Sequence, residues 1–180
     1  MLFYKEYDGS PVGQLILVCD EAALHMLILS DAPDKSGRSS PSVPDRAVRK
    51  ETPVIKKALG WLDMYFAGKR PDPLSIPLAP QGSAFRQSVW NILLSIPYGS
   101  VTTYGKIAAE ISALRSGQPM SAQAIGGAVG SNPLPIIIPC HRVIGADGSL
   151  TGYSGGLNIK LRLLCHEGAD TSKMFIPACM

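Results

Sequence analysis

The segment from Lys69 to Gly82, KRPDPLSIPLAPQG, places four prolines in fourteen residues. Proline lacks a backbone N–H and has a fixed φ, so this stretch can be neither a regular helix nor a central strand. The fold must therefore be assembled from the segments on either side of it. A chain of 180 residues is long enough for two small domains. The prolines mark the division: an N-terminal part with its linker over 1–80, a C-terminal part over 81–168 and a tail over 169–180. Hydrophobic residues make up 46% of the chain, enough for a packed core.

The two parts differ in pattern. GQLILVCDEAALHMLILSD (Gly13 to Asp31) reads as two strands around a turn at Asp20-Glu21, with MLFYKEY as a third strand reached through the hairpin loop DGSPVG. The Ser/Pro/Gly-rich stretch Lys35 to Asp45 is a loop. In TPVIKKALGWLDMYFAG, Thr52 can cap, Pro53 suits the first turn, Ile55, Leu59, Leu62 and Phe66 share a helical face, and Gly68 stops the helix. After the linker the periodicity is helical: Ser83 caps a segment with Phe85, Val89, Leu93 and Ile96 at helical spacing. Two further helices span Thr102 to Leu114, amphipathic through Ile107, Ala108 and Ile111, and Ser121 to Gly130, joined by a polar Gly/Pro turn. The fold class is α+β: a small N-terminal domain of short antiparallel sheet plus helix, then a mostly helical domain with a helix-turn-helix-like pair. Gly126-Gly127 weaken the second helix of that pair by roughly 1 kcal/mol each relative to Ala. Two explanations compete: tight packing against another helix, or a face kept flat for nucleic acid.

Several classes are set aside. A formal charge of +3 permits a nucleic-acid partner without requiring one. No window of about 18 apolar residues predicts a membrane span. MLFYKEYDGSPVG carries an early acid and no long apolar core, unlike a signal peptide. Cys19, Cys140, Cys165 and Cys179 form neither a C-x-x-C pair nor a disulfide framework. Reduced thiols in a cytoplasm are the expectation.

The chemistry concentrates in NPLPIIIPCHRVIG, Asn132 to Gly145, where an apolar run, read as a buried strand, ends in Pro139 and then a thiol, an imidazole and a guanidinium. Cys19, Cys165 and Cys179 read as core cysteines. Cys140 differs because a neighbouring base or cation raises its thiolate fraction. Consecutive side chains in extended backbone point opposite ways, so contact between Cys140 and His141 needs a turn at Pro139-Cys140 or a bridging water. The pairs Cys140-His141 and Cys165-His166 resemble zinc ligands only superficially, since adjacent residues rarely chelate one tetrahedral ion, and Cys19 with His25 lacks further partners; no metal is expected. Glu167, at the end of LNIKLRLLCHEG, is either a solvated helix-end carboxylate or the acid that orients a histidine. The glycine-rich GSLTGYSGGL is either a flexible turn or a pocket wall.

PCHRVIG, TGYSGGL, IPYGSVTTYGKIA and NPLPIIIPCHRV, in that company and over about Phe85 to Gly168, closely resemble the O6-alkylguanine-DNA alkyltransferases (methylated-DNA–protein-cysteine methyltransferases). The resemblance implies a suicide transfer of an alkyl group from guanine O6 to Cys140, with thymine O4 as a further candidate source. The nucleotide is flipped out first, because a stacked O6 is inaccessible to a thiolate. It implies that His141 takes the thiol proton through a water, that Glu167 polarises His141, that Asn132 braces the segment and that Tyr104 helps rotate the nucleotide and stabilises the leaving guanine. Tyr104, Tyr153, Ser154 and Gly155 would line the alkylguanine pocket. Thr103, Tyr104, Ala122, Gln123, Ala124, Gly127 and Arg142 would meet DNA, with the helix from Ser121 to Gly130 in the minor groove and Lys106 and Arg115 on phosphates. No cofactor is implied, since the alkyl group is already activated on the base. The partner would be double-stranded DNA and the protein a monomer, with no membrane. One departure stands out: the family's arginine that replaces the flipped base is Gln123 here, which predicts slower extrusion and intact chemistry. Three rivals remain at this stage: a lesion binder without transfer, a methylation-switched regulator and a thiol hydrolase using Cys140, His141 and Glu167.

Overall fold

The structure is a computed structural model that describes residues 1–30 and 42–177. The expected loop from Lys35 to Asp45 lies outside the described residues up to position 41. The chain divides into two compact units, Met1–Gln81 with Pro133–Ile137 and Gly82–Asn132 with Ile138–Met180.

In the first unit β1 (Phe3–Tyr7), β2 (Leu15–Cys19) and β3 (Leu24–Leu29) form an antiparallel meander, and β4 (Val48–Arg49) pairs parallel with β1, giving the order β3-β2-β1-β4. The register shifts between Val18 and Cys19, a bulge beside the predicted turn. Asp20 holds that turn by accepting from the Ala22 and Ala23 amides. Helix α1 (Pro53–Phe66) starts where sequence predicts, with the Thr52 hydroxyl accepting from the Ile55 amide and Pro53 in the first turn. Its buried stripe is rotated from the predicted one: Val54, Ile55, Ala58, Trp61, Leu62 and Tyr65 are buried, and Leu59 and Phe66 only half-buried. Trp61 and Tyr65 in the last two turns draw the stripe towards themselves, since aromatic side chains bury the most area. Tyr7 donates to Asp63 on α1, and Trp61 donates to the Asp72 carbonyl in the proline-rich segment. That segment is irregular apart from one 3-10 turn at Pro73–Ser75 and a bridge between Leu24 and Leu78.

The second unit holds α2 (Ala84–Ser95), β5 (Thr102–Thr103), α3 (Tyr104–Leu114), α4 (Ala122–Gly130), β6 (Val143–Ile144) and α5 (Leu157–His166). Ser83, Thr103 and Ser121 cap α2, α3 and α4 through their hydroxyls. Ile107, Ala108 and Ile111 of α3 and Ile125, Ala128 and Val129 of α4 are buried, and a turn of seven residues joins the two helices. The Trp90 indole, 1% exposed, donates to the Ala128 carbonyl near the end of α4. A side chain at Gly82 would come within 2.5 Å of the Trp90 ring, so only glycine fits there. β5 pairs parallel with β6, which brings the start of α3 beside the residues just after Cys140.

One expectation is corrected. The run Pro133 to Ile138 is a buried turn with no strand pairing. Ile136 takes a left-handed conformation, φ 73°, which breaks any ladder. The isoleucines are buried, and hydrophobicity alone does not separate a buried turn from a buried strand.

Candidate active site

The turn at Cys140 is built from backbone upward. Pro139 sits at φ −81°, ψ 63°, the centre of an inverse γ-turn closed by the Cys140 amide donating to Ile138 O at 2.8 Å. Asn132 Nδ2 donates to the same carbonyl at 2.8 Å and staples the turn from the other side. Cys140–Arg142 then form one 3-10 turn. The apolar run therefore ends in the kind of turn that the adjacent thiol and imidazole require. Cys140 is 5% exposed. Burial pushes its thiol above the usual value, while a hydrogen bond with Asn132 and the nearby Lys160 ammonium pull it down.

Glu167 anchors the other end. At the C-terminus of α5 it is 3% exposed. Its Oε1 accepts from His141 Nε2 and Arg142 Nη2 and its Oε2 from Arg142 Nε, each at 2.8 Å, with the Gly99 amide at 3.2 Å. Burial alone would raise this carboxyl, but the hydrogen bonds from His141 and Arg142 outweigh it and hold the group well below the carboxylate range. An ionised carboxylate only accepts, so His141 Nε2 must carry a proton. Burial holds the imidazole below its usual pKa, so the ring is neutral and Nδ1 bears the lone pair. Nδ1 is buried and has no hydrogen-bond partner, and the same holds for the Tyr153 hydroxyl. Buried polar atoms are rarely orphaned; one of these belongs to the residue next to Cys140 in the chain and the other to a tyrosine whose hydroxyl is pushed up by burial and by a Cys140 thiolate, which marks a place where something else is to be bound.

The remaining site residues are spread over α3, α4, the turn between them and the loop before α5. Tyr104 opens α3, and its hydroxyl donates to Thr151 O at 3.0 Å. Tyr153 and Gly155 are buried and Ser154 is exposed, on the loop before α5. Ala122, Gln123 and Gly127 lie exposed on α4, with Ala124 half-buried, and Thr103 is half-buried at the start of α3. Lys106 and Arg115 are exposed. Arg142 is the correction. Placed on the DNA surface from sequence, it is 8% exposed, forks onto Glu167, donates to Ile96 O at 2.5 Å and stacks over the Tyr98 ring at 5.6 Å. A guanidinium beside a buried carboxylate finds its best partner there.

The glycines of α4 can be judged as well. A side chain at Gly127 or Gly130 would meet nothing within 4 Å, and one at Gly126 would only touch the Tyr104 ring at 4.0 Å. Packing within the unit does not require them, which leaves an open face of backbone.

Sequence reasoning missed Lys160. It is fully buried, donating to Val143 O at 2.5 Å and Thr151 O at 2.6 Å, and burial lowers it to about 8 while Cys140 opposes that shift. The signal was available: Lys160 stands three and four residues before Leu163 and Leu164, on the apolar face of α5. Of the side chains weighed as zinc ligands, His141 bonds Glu167, His25 bonds Asp20 and the Ala79 carbonyl, and Cys19 bonds Thr52.

The likeness to known proteins extends over both units. The family profile for the 6-O-methylguanine DNA methyltransferase DNA binding domain matches residues 84–169, and that for the ribonuclease-like domain of the same proteins matches 3–80. The methylated-DNA–protein-cysteine methyltransferase of Methanosarcina acetivorans is 42% identical over 168 residues, covering 93% of this chain and 99% of its own. That of Haemophilus influenzae is 41% identical, covering 89% and 84%. Among solved structures, Mycobacterium tuberculosis OGT in complex with DNA superposes with a TM-score of 0.77 at 38% identity, covering 94% of this chain and 96% of that one.

Proposed function

The chain belongs to the 6-O-methylguanine DNA methyltransferase family, and from that premise we propose how its residues carry an alkyl group from guanine O6 in damaged DNA to Cys140. The observation that carries this reading is the neutral His141 ring, next to Cys140 in the chain, its Nε2–H locked onto Glu167 and its Nδ1 lone pair buried without a partner. The Cys140 proton passes through one water to Nδ1. The thiolate sulfur attacks the alkyl carbon, the C–O6 bond breaks, and its electron pair stays on the guanine. Glu167 steadies the imidazolium that forms, and Lys160 faces the thiolate with a positive charge. Tyr104 exchanges its Thr151 acceptor for the leaving base. The product is a thioether with no route back, so each molecule reacts once.

The damaged nucleotide leaves the stack to reach the pocket, closed by Tyr153, Ser154 and Gly155. The open glycine face of α4 suits a narrow minor groove, which admits a helix only at close backbone approach. Gln123 fills the gap left by the flipped base without adding charge. Lys106 and Arg115 neutralise phosphates. The protein acts as a monomer on duplex DNA in the cytoplasm. Among the described residues no helix is long and apolar enough to cross a membrane.

The test is a duplex carrying one O6-methylguanine, followed by digestion and mass spectrometry of the Cys140 peptide. One methyl on Cys140, saturating at one per protein, is expected. An unmodified Cys140 with the lesion bound overturns the reading.

A further inference from the structure

The tail after α5 is not a loose end. Leu150 N donates to Phe175 O at 2.8 Å, Phe175 N donates to Gly148 O at 3.3 Å, and Ser149 and Phe175 form a parallel bridge. Met174 packs against the buried cluster of Ile144, Leu150 and Leu164. Gly148, at φ 89°, passes so close to the Lys173 carbonyl that any side chain there would collide with it. The turn 145–150 is closed on itself by Gly145 N to Ser149 O at 2.8 Å, and Leu150 is fully buried. The next residue, Thr151, offers one carbonyl to both Tyr104 Oη and Lys160 Nζ. The loop carrying Tyr153, Ser154 and Gly155 thus starts from a point fixed on one side by site residues and on the other by the tail.

We propose that Lys173–Phe175 is a strap that sets the position of the 151–156 loop over the pocket, and so sets how large an alkyl group Cys140 accepts. This rests on the assignment of that loop to the alkylguanine pocket. With the strap in place the loop closes on a methyl group. With it gone, the loop sits further out, a small group is held less well and a bulky aromatic one enters more readily.

The experiment compares the full chain, a chain ending at Asp170, and Gly148→Ala in both backgrounds. Second-order rates of transfer to Cys140 are measured from duplexes carrying O6-methylguanine or O6-benzylguanine, normalised to the fraction of protein that accepts a group. The truncation should raise the benzyl-to-methyl rate ratio by about threefold or more, a modest coupling for contacting residues. Gly148→Ala should raise it similarly in the full chain and by less in the truncated one, where the collision with the Lys173 carbonyl is gone and only the strain of alanine at φ 89° remains. A ratio unchanged in both variants, or both rates falling by one common factor, overturns the strap. Should the truncated chain fail to fold, Gly148→Ala in the full chain decides by the same ratio. A wild-type chain that alkylates Cys140 with neither substrate overturns the functional reading and the strap with it.

Discussion

The cluster around Glu167 and the outer face of α4 are opposites within one unit. In the first, four donors converge on one carboxylate and the side chains of His141, Arg142 and Glu167 are nearly inaccessible. In the second, Gly127 and Gly130 stand where a side chain would meet nothing within 4 Å. The first is a place where every group has its position dictated by the protein. The second is a place where the protein supplies only a shape and leaves the contacts to a partner. On the proposed function the chemistry rests on the one and DNA engagement on the other, so substitutions in the two regions should separate transfer from DNA binding.

The sharpest way to break the contrast is Cys140→Ser, which should abolish alkyl transfer while leaving binding to lesion-bearing duplex intact; lost binding would join the two regions. His141→Ala should slow transfer by about 10²- to 10⁴-fold, the usual worth of a positioned base. The pH profile tells more than the rate. With His141 neutral, wild-type transfer should be nearly flat from about pH 6.5 to 7.5, below the Lys160 value of about 8, whereas the variant, relying on a thiol that burial has raised, should climb about tenfold per pH unit over the same range. A flat profile in the variant would remove His141 from the proton path. Glu167→Gln should come next, with a smaller kinetic loss and a distinct stability signature. The Glu167 carboxyl is depressed in the folded state, so its contribution is complete above its ordinary 4.5 and disappears as pH falls towards the folded value. Melting temperature against pH should therefore drop more steeply on the acid side for the wild type than for the variant.

On the other region, Gly127→Leu should reduce transfer from duplex by about tenfold, the equivalent of ~1.4 kcal/mol in binding, and leave reaction with the free alkylated base unchanged. The helix itself should gain stability, since leucine is the better helix former. Loss with both substrates would show that the face matters to the fold and not to DNA. Gln123→Arg carries the smallest effect, a several-fold faster repair of duplex substrate, read in single-turnover kinetics. An unchanged or slower rate would mean that a neutral side chain extrudes the nucleotide as well as a cation does.

How legible these regions were depends on how local their causes are. Caps such as Thr52, Ser83 and Ser121 could be read because a hydroxyl and an amide three residues on are fixed by chain geometry. The α4 glycines could be noticed but not interpreted, because only the structure says whether anything fills the space beside them. Arg142 was misplaced because its partner is 25 positions away, a pairing that no local pattern encodes. The isoleucine run was read as a strand because burial was visible and the left-handed turn at Ile136 was not. Lys160 was overlooked although its position on an apolar stripe was in plain view; a charged residue on such a stripe is evidence of a buried partner.

The tryptophans bring a practical consequence. The chain has two, Trp61 in the first unit and Trp90 in the second, and each indole donates to a carbonyl of its own unit, Asp72 and Ala128. Indole emission shifts to the red when water reaches the ring, so each unit carries its own optical reporter. With Trp61→Phe, the fluorescence tracks Trp90, whose donor bond ends on the helix assigned to DNA. With Trp90→Phe, it tracks the sheet and α1. The unfolding of each half can then be watched separately in one chain, without any label.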